Sequence, residues 1–282
     1  MNTLKFQNIR EKRQEYFNRL SQVLEYLRPL NPSISITGGE PTKSRRLIPI
    51  LELIEKFGYR KRTLTTNGSG LFDEVNGKTV LQHIADNHFQ HLNISKTHYS
   101  EEINRQIMKY EVGYTSNEDI HKIALFCKTH NLRPRLSCLL LKEGIHDLQG
   151  IISYLNFYKD LGIDNVIFRE TMDYSEEDMI NLEKMEYLKE NKVKLNDIWK
   201  EIDNDSRFTP IRQLLGYYYY VEVYKYQNID MVSESANLVK LYEEKSKAPE
   251  TVFEMVFHPN GNLNGGWVDN EDILLGYEKD LY

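Results

Sequence analysis

Between Ser33 and Arg169 the chain alternates short β-branched or apolar runs with segments of helical period, and few architectures accommodate that rhythm. Ser33-Ile34-Ser35-Ile36-Thr37, Thr63-Leu64-Thr65-Thr66, Leu92-Asn93-Ile94-Ser95, Arg135 to Leu141 and Asn165-Val166-Ile167-Phe168-Arg169 read as five strands. Between them lie the helical faces Leu47, Ile50, Leu51, Ile54; Leu81, Ile84, Ala85, His88; Ile120, Ile123, Ala124, Cys127; and Leu148, Ile151, Ile152, Leu155, Leu161. Gly58 and Gly162 stand as helix stops, and Ser116 with Asp119 forms a capping box. Strands separated by helices need crossover connections, which make neighbouring strands parallel. The expected core is an α/β parallel, barrel-like sheet with its helices outside and without full closure.

This core is preceded by an amphipathic helix carrying Phe17, Leu20, Leu24 and Leu27 and ended by Pro29 and Pro32. After Glu170 the rhythm changes. Ser175 with Asp178 reads as a helix cap, Leu195, Ile198, Trp199 and Ile202 as another helix, and Tyr217 to Tyr226 as a strand. Thr251 to Phe257 reads as the last strand, with Pro259-Asn260-Gly261 as its turn. The division expected is a partial barrel over 1–172 and a C-terminal helical and β extension over 173–282 that covers it. The tyrosines crowded at Tyr217 to Tyr220 suit packing against that barrel.

Composition narrows the function classes. Of 282 residues 40% are hydrophobic, enough for a substantial core, and the net charge of -6 comes without a long basic run of the kind that grips nucleic acid. No apolar stretch approaches the roughly 20 residues that span a bilayer, and Met-Asn-Thr-Leu-Lys-Phe lacks a signal peptide's apolar centre, so a cytoplasmic protein is expected. The two cysteines, Cys127 and Cys138, fall in apolar surroundings and outside any CxxC, which predicts buried thiols and no metal site.

In parallel α/β barrels the loops after the strands' carboxyl ends build the site, and polar or backbone-permissive residues fall there: Gly38, Gly39, Glu40, Pro41, Asn67, Ser95 and Arg169. The two glycines let backbone approach a ligand, and Glu40 adds a carboxylate able to pair with an ammonium. Asn67 also suits a left-handed turn position, Ser95 an ordinary strand-end hydroxyl, and Arg169 a solvated charge.

Thr37-Gly38-Gly39-Glu40-Pro41 resembles the signature loop of the radical S-adenosylmethionine (SAM) superfamily. The resemblance continues in Thr66-Asn67-Gly68 and in Asn93-Ile94-Ser95-Lys96-Thr97-His98-Tyr99, and covers the chain from about Asn8 to about Glu170. It implies a partial (β/α)6-type parallel barrel in which Gly38, Gly39, Glu40 and Pro41 hold the methionine ammonium of SAM. Ser95 would reach its ribose or methionine moiety, and Arg169 its carboxylate. It implies as well a 4Fe–4S cluster on a CxxxCxxC loop after a first barrel strand. That motif is absent, so the first strand and its loop are expected to be missing bodily, and the Ser33 strand to present an edge needing cover.

Two functions follow. The first is a radical SAM enzyme whose cluster segment and electron donor lie elsewhere, acting on a small molecule or peptide, with this chain alone inactive. The second is a cluster-free ligand- or partner-binding protein that kept the barrel. A barrel enzyme acting on a phosphorylated metabolite ranks last, because no glycine-rich phosphate loop follows Phe168.

Overall fold

A computed structural model describes residues 13–110, 113–172, 182–215, 220–235, 243 and 246–276. Its strands are β1 (Ile34–Ile36), β2 (Arg62–Thr66), β3 (Glu74–Val75), β4 (Lys78–Thr79), β5 (His91–Ser95), β6 (Arg133–Leu139) and β7 (Asn165–Arg169). Then come β8 (Phe208–Leu215), β9 (Tyr220–Tyr226), β10 (Ile229–Glu234), β11 (Val256–Phe257), β12 (Leu263–Asn264) and β13 (Ile273–Leu275). The helices are α1 (Arg13–Leu27), α2 (Leu47–Phe57), α3 (Val80–Asp86), α4 (Glu101–Met108), α5 (Asn117–Thr129), α6 (Leu148–Asp160), α7 (Leu182–Glu190) and α8 (Leu195–Asp203).

One open eight-stranded sheet runs in the order β1-β2-β5-β6-β7-β10-β9-β8. The five strands read from sequence are parallel neighbours, as expected, and β10 joins β7 in parallel as a sixth. β9 and β8 then extend the sheet antiparallel. The fold is thus α/β with a large, mainly parallel sheet, a partial barrel without closure.

Strand alternation sorts side chains between two faces. Leu64, Leu92, Ile94, Leu136, Cys138, Val166 and Phe168 are all at or near zero exposure and merge with the apolar faces of α2, α5, α6 and α8 into one core. The capping box Ser116–Asp119 starts α5, as read. On the opposite face, called inner below, stand Thr63, Thr65, His91, Asn93, Ser95, Arg133, Arg135 and Ser137, mostly half-exposed and polar.

Several expectations need correction. His88 lies beyond α3 with φ 54° and a largely exposed ring, because the helix ends at Asp86 and the chain must turn into β5. The fourth strand is shifted to Arg133–Leu139, since its ladder to β5 starts at Arg133. Of Thr251 to Phe257 only Val256–Phe257 pairs, with Leu263–Asn264 across the turn at Gly261. Tyr220 opens β9, whereas Tyr217 to Tyr219 and the cap at Ser175 and Asp178 lie outside the described residues. The short helix α4, the hairpin β3–β4 and strands β8 and β10 were not anticipated.

The small sheet β11–β12–β13 does not float free. Leu263, Met255 and Phe257 pack on Val23 and Leu27 of α1, and Phe257 meets Tyr16 at 5.4 Å between ring centroids. The small sheet is thereby tied to α1, which packs on α2. No helix among the described residues is long and apolar enough to cross a membrane.

Candidate functional site

The loop after β1 leaves the sheet through Gly38 (φ 98°) and Gly39 (φ 55°), conformations that side chains with a Cβ rarely adopt. Both glycines are exposed, and a Cβ added at Gly39 would meet no atom within 4 Å. The turn therefore presents bare backbone to open space. Pro41, buried, then starts a single helical turn that carries the chain back over the end of β2.

Glu40 fixes this turn rather than projecting free. Its Oε1 accepts hydrogen bonds from the Thr42 amide (3.0 Å), the Thr42 hydroxyl and the Thr66 hydroxyl, and its Oε2 accepts from the Asn67 amide at 2.7 Å. Four donors take up most of this carboxylate's acceptor sites. Only the outer side of Oε2 keeps acceptor capacity for a ligand.

The same stitching continues across the strand ends. Thr42 Oγ1 accepts the Gly70 amide (3.1 Å), Thr66 Oγ1 accepts the Gly68 amide (2.8 Å), and Thr115 donates its hydroxyl to the Asn67 carbonyl (2.8 Å). These contacts bring backbones very close. A Cβ at Gly68 would stand 2.6 Å from Thr115 Oγ1, and one at Gly70 would stand 2.9 Å from the Thr42 carbonyl oxygen. In the turn after β2 the left-handed residue is Gly68 (φ 84°), not Asn67, whose Oδ1 instead accepts the Ser69 amide at 2.9 Å. Thr42, Thr66 and Thr115 thus belong to the site although sequence reasoning passed over them. A threonine just before Asn67-Gly68 was the available signal for Thr66, but nothing local marks Thr115.

Ser95 ends β5 one register step beyond the Thr66–Ile94 pair, and its partly exposed hydroxyl makes no hydrogen bond to a described residue. It is free to meet a ligand on the inner face. Arg169 closes β7 opposite Leu139 and pairs through Nε with Glu234 of β10 at 3.1 Å. Gly38, Gly39, Glu40, Pro41 and Asn67 therefore form one braced unit, Ser95 lies one strand further along, and Arg169 stands two more strands away, engaged.

Lys96, Thr97 and His98 turn inward. Lys96, with zero exposure, donates to the Thr115 carbonyl at 2.8 Å and lies over the Tyr114 ring; burial pushes its ammonium down to about 8. Thr97 gives its amide to Asn104 Oδ1 (2.9 Å), and His98 Nδ1 accepts the Ser100 amide at 2.8 Å. Tyr110 hydrogen-bonds Asn104 over this corner, and burial raises its phenol to about 12.

The glycine turn and an iron–sulfur cluster make different demands on this chain. Exposed backbone at Gly38 and Gly39, the open space beside Gly39 and the free Ser95 hydroxyl fit a ligand carrying an ammonium and hydroxyls. The cysteines do not fit an iron–sulfur cluster: both are buried, Cys138 Sγ donates to the Thr97 carbonyl at 3.3 Å, and burial pushes the Cys127 thiol up to about 12. Cluster ligation needs thiolates. Among the described residues no group of three His, Cys, Asp or Glu could hold a metal ion.

Sheet order and braced loops together define a partial parallel α/β barrel with a backbone-presenting turn after its first strand. No family model matches the chain. Over 135 residues, 48% of the chain and 39% of the relative, it is 27% identical to a probable GTP 3',8-cyclase of Sulfurisphaera tokodaii, so it spans about two fifths of that protein's length. Among solved structures it is similar to a radical SAM methyltransferase from Kitasatospora setae, with a TM-score of 0.41, 12% identity and coverage of 54% of this chain and 30% of that one. It is similar also to HMG-CoA lyase from Brucella melitensis, with a TM-score of 0.38, 11% identity and 56% of each chain covered. Radical SAM enzymes, the family its glycine loop resembles, are among these similar solved structures.

Proposed function

We propose that the chain is the SAM-binding part of a radical SAM enzyme, with Gly38 and Gly39 presenting backbone to the methionine ammonium. The observation that carries this reading is the turn itself: two adjacent, exposed left-handed glycines, with open space beside Gly39, locked to β2 by the Glu40 carboxylate. A preorganised turn lowers the ordering cost of binding. Glu40 acts mainly by holding the turn and secondarily through the remaining lone pair of Oε2. Ser95 supplies a hydroxyl from the neighbouring strand end. When bound, SAM supplies a 5'-deoxyadenosyl group for radical chemistry once it receives an electron.

The chain's two cysteines are both buried and no group of three His, Cys, Asp or Glu among the described residues could hold a metal ion, so no electron-transfer step is assigned to it. This favours one second reading, a cluster-free SAM- or ligand-binding protein on the same barrel. Calorimetric titration of SAM tests what the two readings share. Gly39→Val should weaken binding more than Glu40→Gln, and Glu40→Gln should cost about tenfold to a hundredfold, as for a charge-assisted hydrogen bond. Equal affinity in both variants and wild type removes the site. Anaerobic reconstitution of this chain with iron and sulfide should load no stoichiometric cluster under either reading, because both thiols are buried; the encoding DNA upstream of Met1 separates the two, an in-frame CxxxCxxC supporting the first and its absence the second.

A further inference from the structure

The inner face carries a middle row formed by register: Thr65 beside Asn93, Asn93 beside Arg135, Arg135 next to β7, Asn165 beside Asp230, and Asp230 beside Lys225. The neighbouring cations on this face are matched with acids. Arg133 meets Asp230 at 2.6 Å and Asp164 at 3.4 Å, Lys225 meets Asp230 at 2.8 Å, and Arg169 meets Glu234 at 3.1 Å. Arg135 differs: it is half-buried, has no acid within ion-pair distance among the described residues, and uses only Nε, donated to Asn165 Oδ1. Its two terminal nitrogens have no acceptor among the described residues.

Polar groups with open valence flank it. Asn93 is 7% exposed, and its Oδ1 is buried without a partner while Nδ2 reaches only Thr65 Oγ1 at 3.3 Å. His91, two residues earlier on the same face of β5, has a buried Nδ1 likewise unpartnered. Native interiors pair nearly all such atoms, so several adjacent exceptions mark a place where something else bonds. A guanidinium with both terminal nitrogens free matches a carboxylate or phosphate in bidentate fashion.

We infer that Arg135, with His91 and Asn93, forms an anion-recognition site on the inner face that takes a carboxylate or phosphate group of the ligand. Arg135 lies two residues below Ser137, which is level with Ser95, so this site is deeper along the strands than the glycine turn. The inference deepens the proposed function by giving the substrate an anionic group, and rests on it only in taking the inner face to be ligand-facing. Burial holds the His91 imidazole below its ordinary value, and Arg135, Lys61 and Arg133 add to that effect. An anion docked beside it reverses the electrostatic part, so the His91 pKa should rise on binding.

The test follows the His91 ring resonances by NMR, assigned with His91→Gln, while inorganic phosphate or succinate is titrated at constant ionic strength set with chloride. Saturable shifts with a raised His91 pKa are expected from at least one of the two anions, and the stronger one tells phosphate from carboxylate. Arg135→Gln should weaken that response about tenfold to a hundredfold, and Arg135→Lys, which keeps charge but loses the fork, should weaken it less. Thermal melts certify folding, and if Arg135→Gln does not fold, Arg135→Lys decides. An unchanged response in the folded variant, or none in wild type with either anion, overturns the site. SAM affinity measured on the same samples keeps the two claims apart: loss of the anion response with SAM binding intact sinks only this inference.

Discussion

The two faces of the parallel sheet are made from the same strands, often from adjacent residues, yet they follow opposite rules. On the helical face Leu136 and Cys138 are fully buried among Tyr154, Leu155 and Phe168. On the inner face Arg133, Arg135 and Ser137 of the same strand are half-exposed and polar. Burying apolar surface stabilises the first, whereas the second keeps groups that would prefer water or a ligand. Stability and binding are therefore separated by one residue of register, a division that substitution can break or sharpen.

The largest effect belongs to the apolar face. Leu136→Ala removes a fully buried side chain from close-packed surroundings and should lower unfolding free energy by about 2–5 kcal/mol in chemical denaturation. Its neighbour Arg135→Met should cost less, about 1 kcal/mol, the loss of the hydrogen bond to the buried Asn165 Oδ1, since the charge it removes has no ion partner among the described residues. Comparable losses from both would show that the inner face is a second core and not a ligand surface.

Next comes the seam where the faces meet at the carboxyl edge. Gly68→Ala forces a Cβ onto φ 84° and against Thr115 Oγ1 at 2.6 Å, so about 2 kcal/mol or more should be lost. Gly39→Ala shares the positive φ but meets open space, so only the conformational cost of about 1 kcal/mol should remain. Thermal melts of the pair report the difference. Glu40→Gln follows with about 1–2 kcal/mol, because its new amide nitrogen cannot accept from Asn67.

The helical face was legible because its signal is local. Isolated apolar residues at strand and helix spacing placed β1, β2, β5, β6 and β7, and the crossover rule made them parallel. β10 shows only half of that signal: Ile229-Asp230-Met231 alternates after the turn at Gln227, but Val232-Ser233 breaks the pattern although burial alternates along the whole strand. β8 is harder to see: Pro210 and Arg212 interrupt it at a register shift. The site was half legible. Gly38, Gly39 and Glu40 follow from a short motif, but Glu40's partner Thr66 lies 26 residues away and Arg135's missing acid is a property of the register. Contacts set by strand neighbours leave no mark at any single position.

Two cations cross the division, and the contrast between them yields the smallest prediction. Arg62 and Lys96 share the parity of the apolar face, at opposite ends of adjacent strands. Arg62 is saturated: it reaches Glu55, the Tyr59 carbonyl at 2.7 Å and the Asn87 carbonyl at 2.7 Å. Lys96 has the Thr115 carbonyl and the face of Tyr114, and burial lowers its pKa to about 8 from 10.5. A base whose folded pKa is depressed binds fewer protons when folded than when unfolded over the interval between the two values. Stability from this group therefore rises with pH from about 8 upward. Above pH 9 the buried Cys127 thiol, raised from 9.0 to about 12, acts with the opposite sign, because the unfolded thiol ionises and the folded one does not. Only the interval from about pH 7.5 to 8.5 isolates Lys96, and there the gain should stay under about 1 kcal/mol. Lys96→Met should flatten that interval in urea titrations at a series of pH values. A slope that survives the substitution would assign it to another group and leave Lys96 charged comfortably inside the apolar face, which the division between the faces forbids.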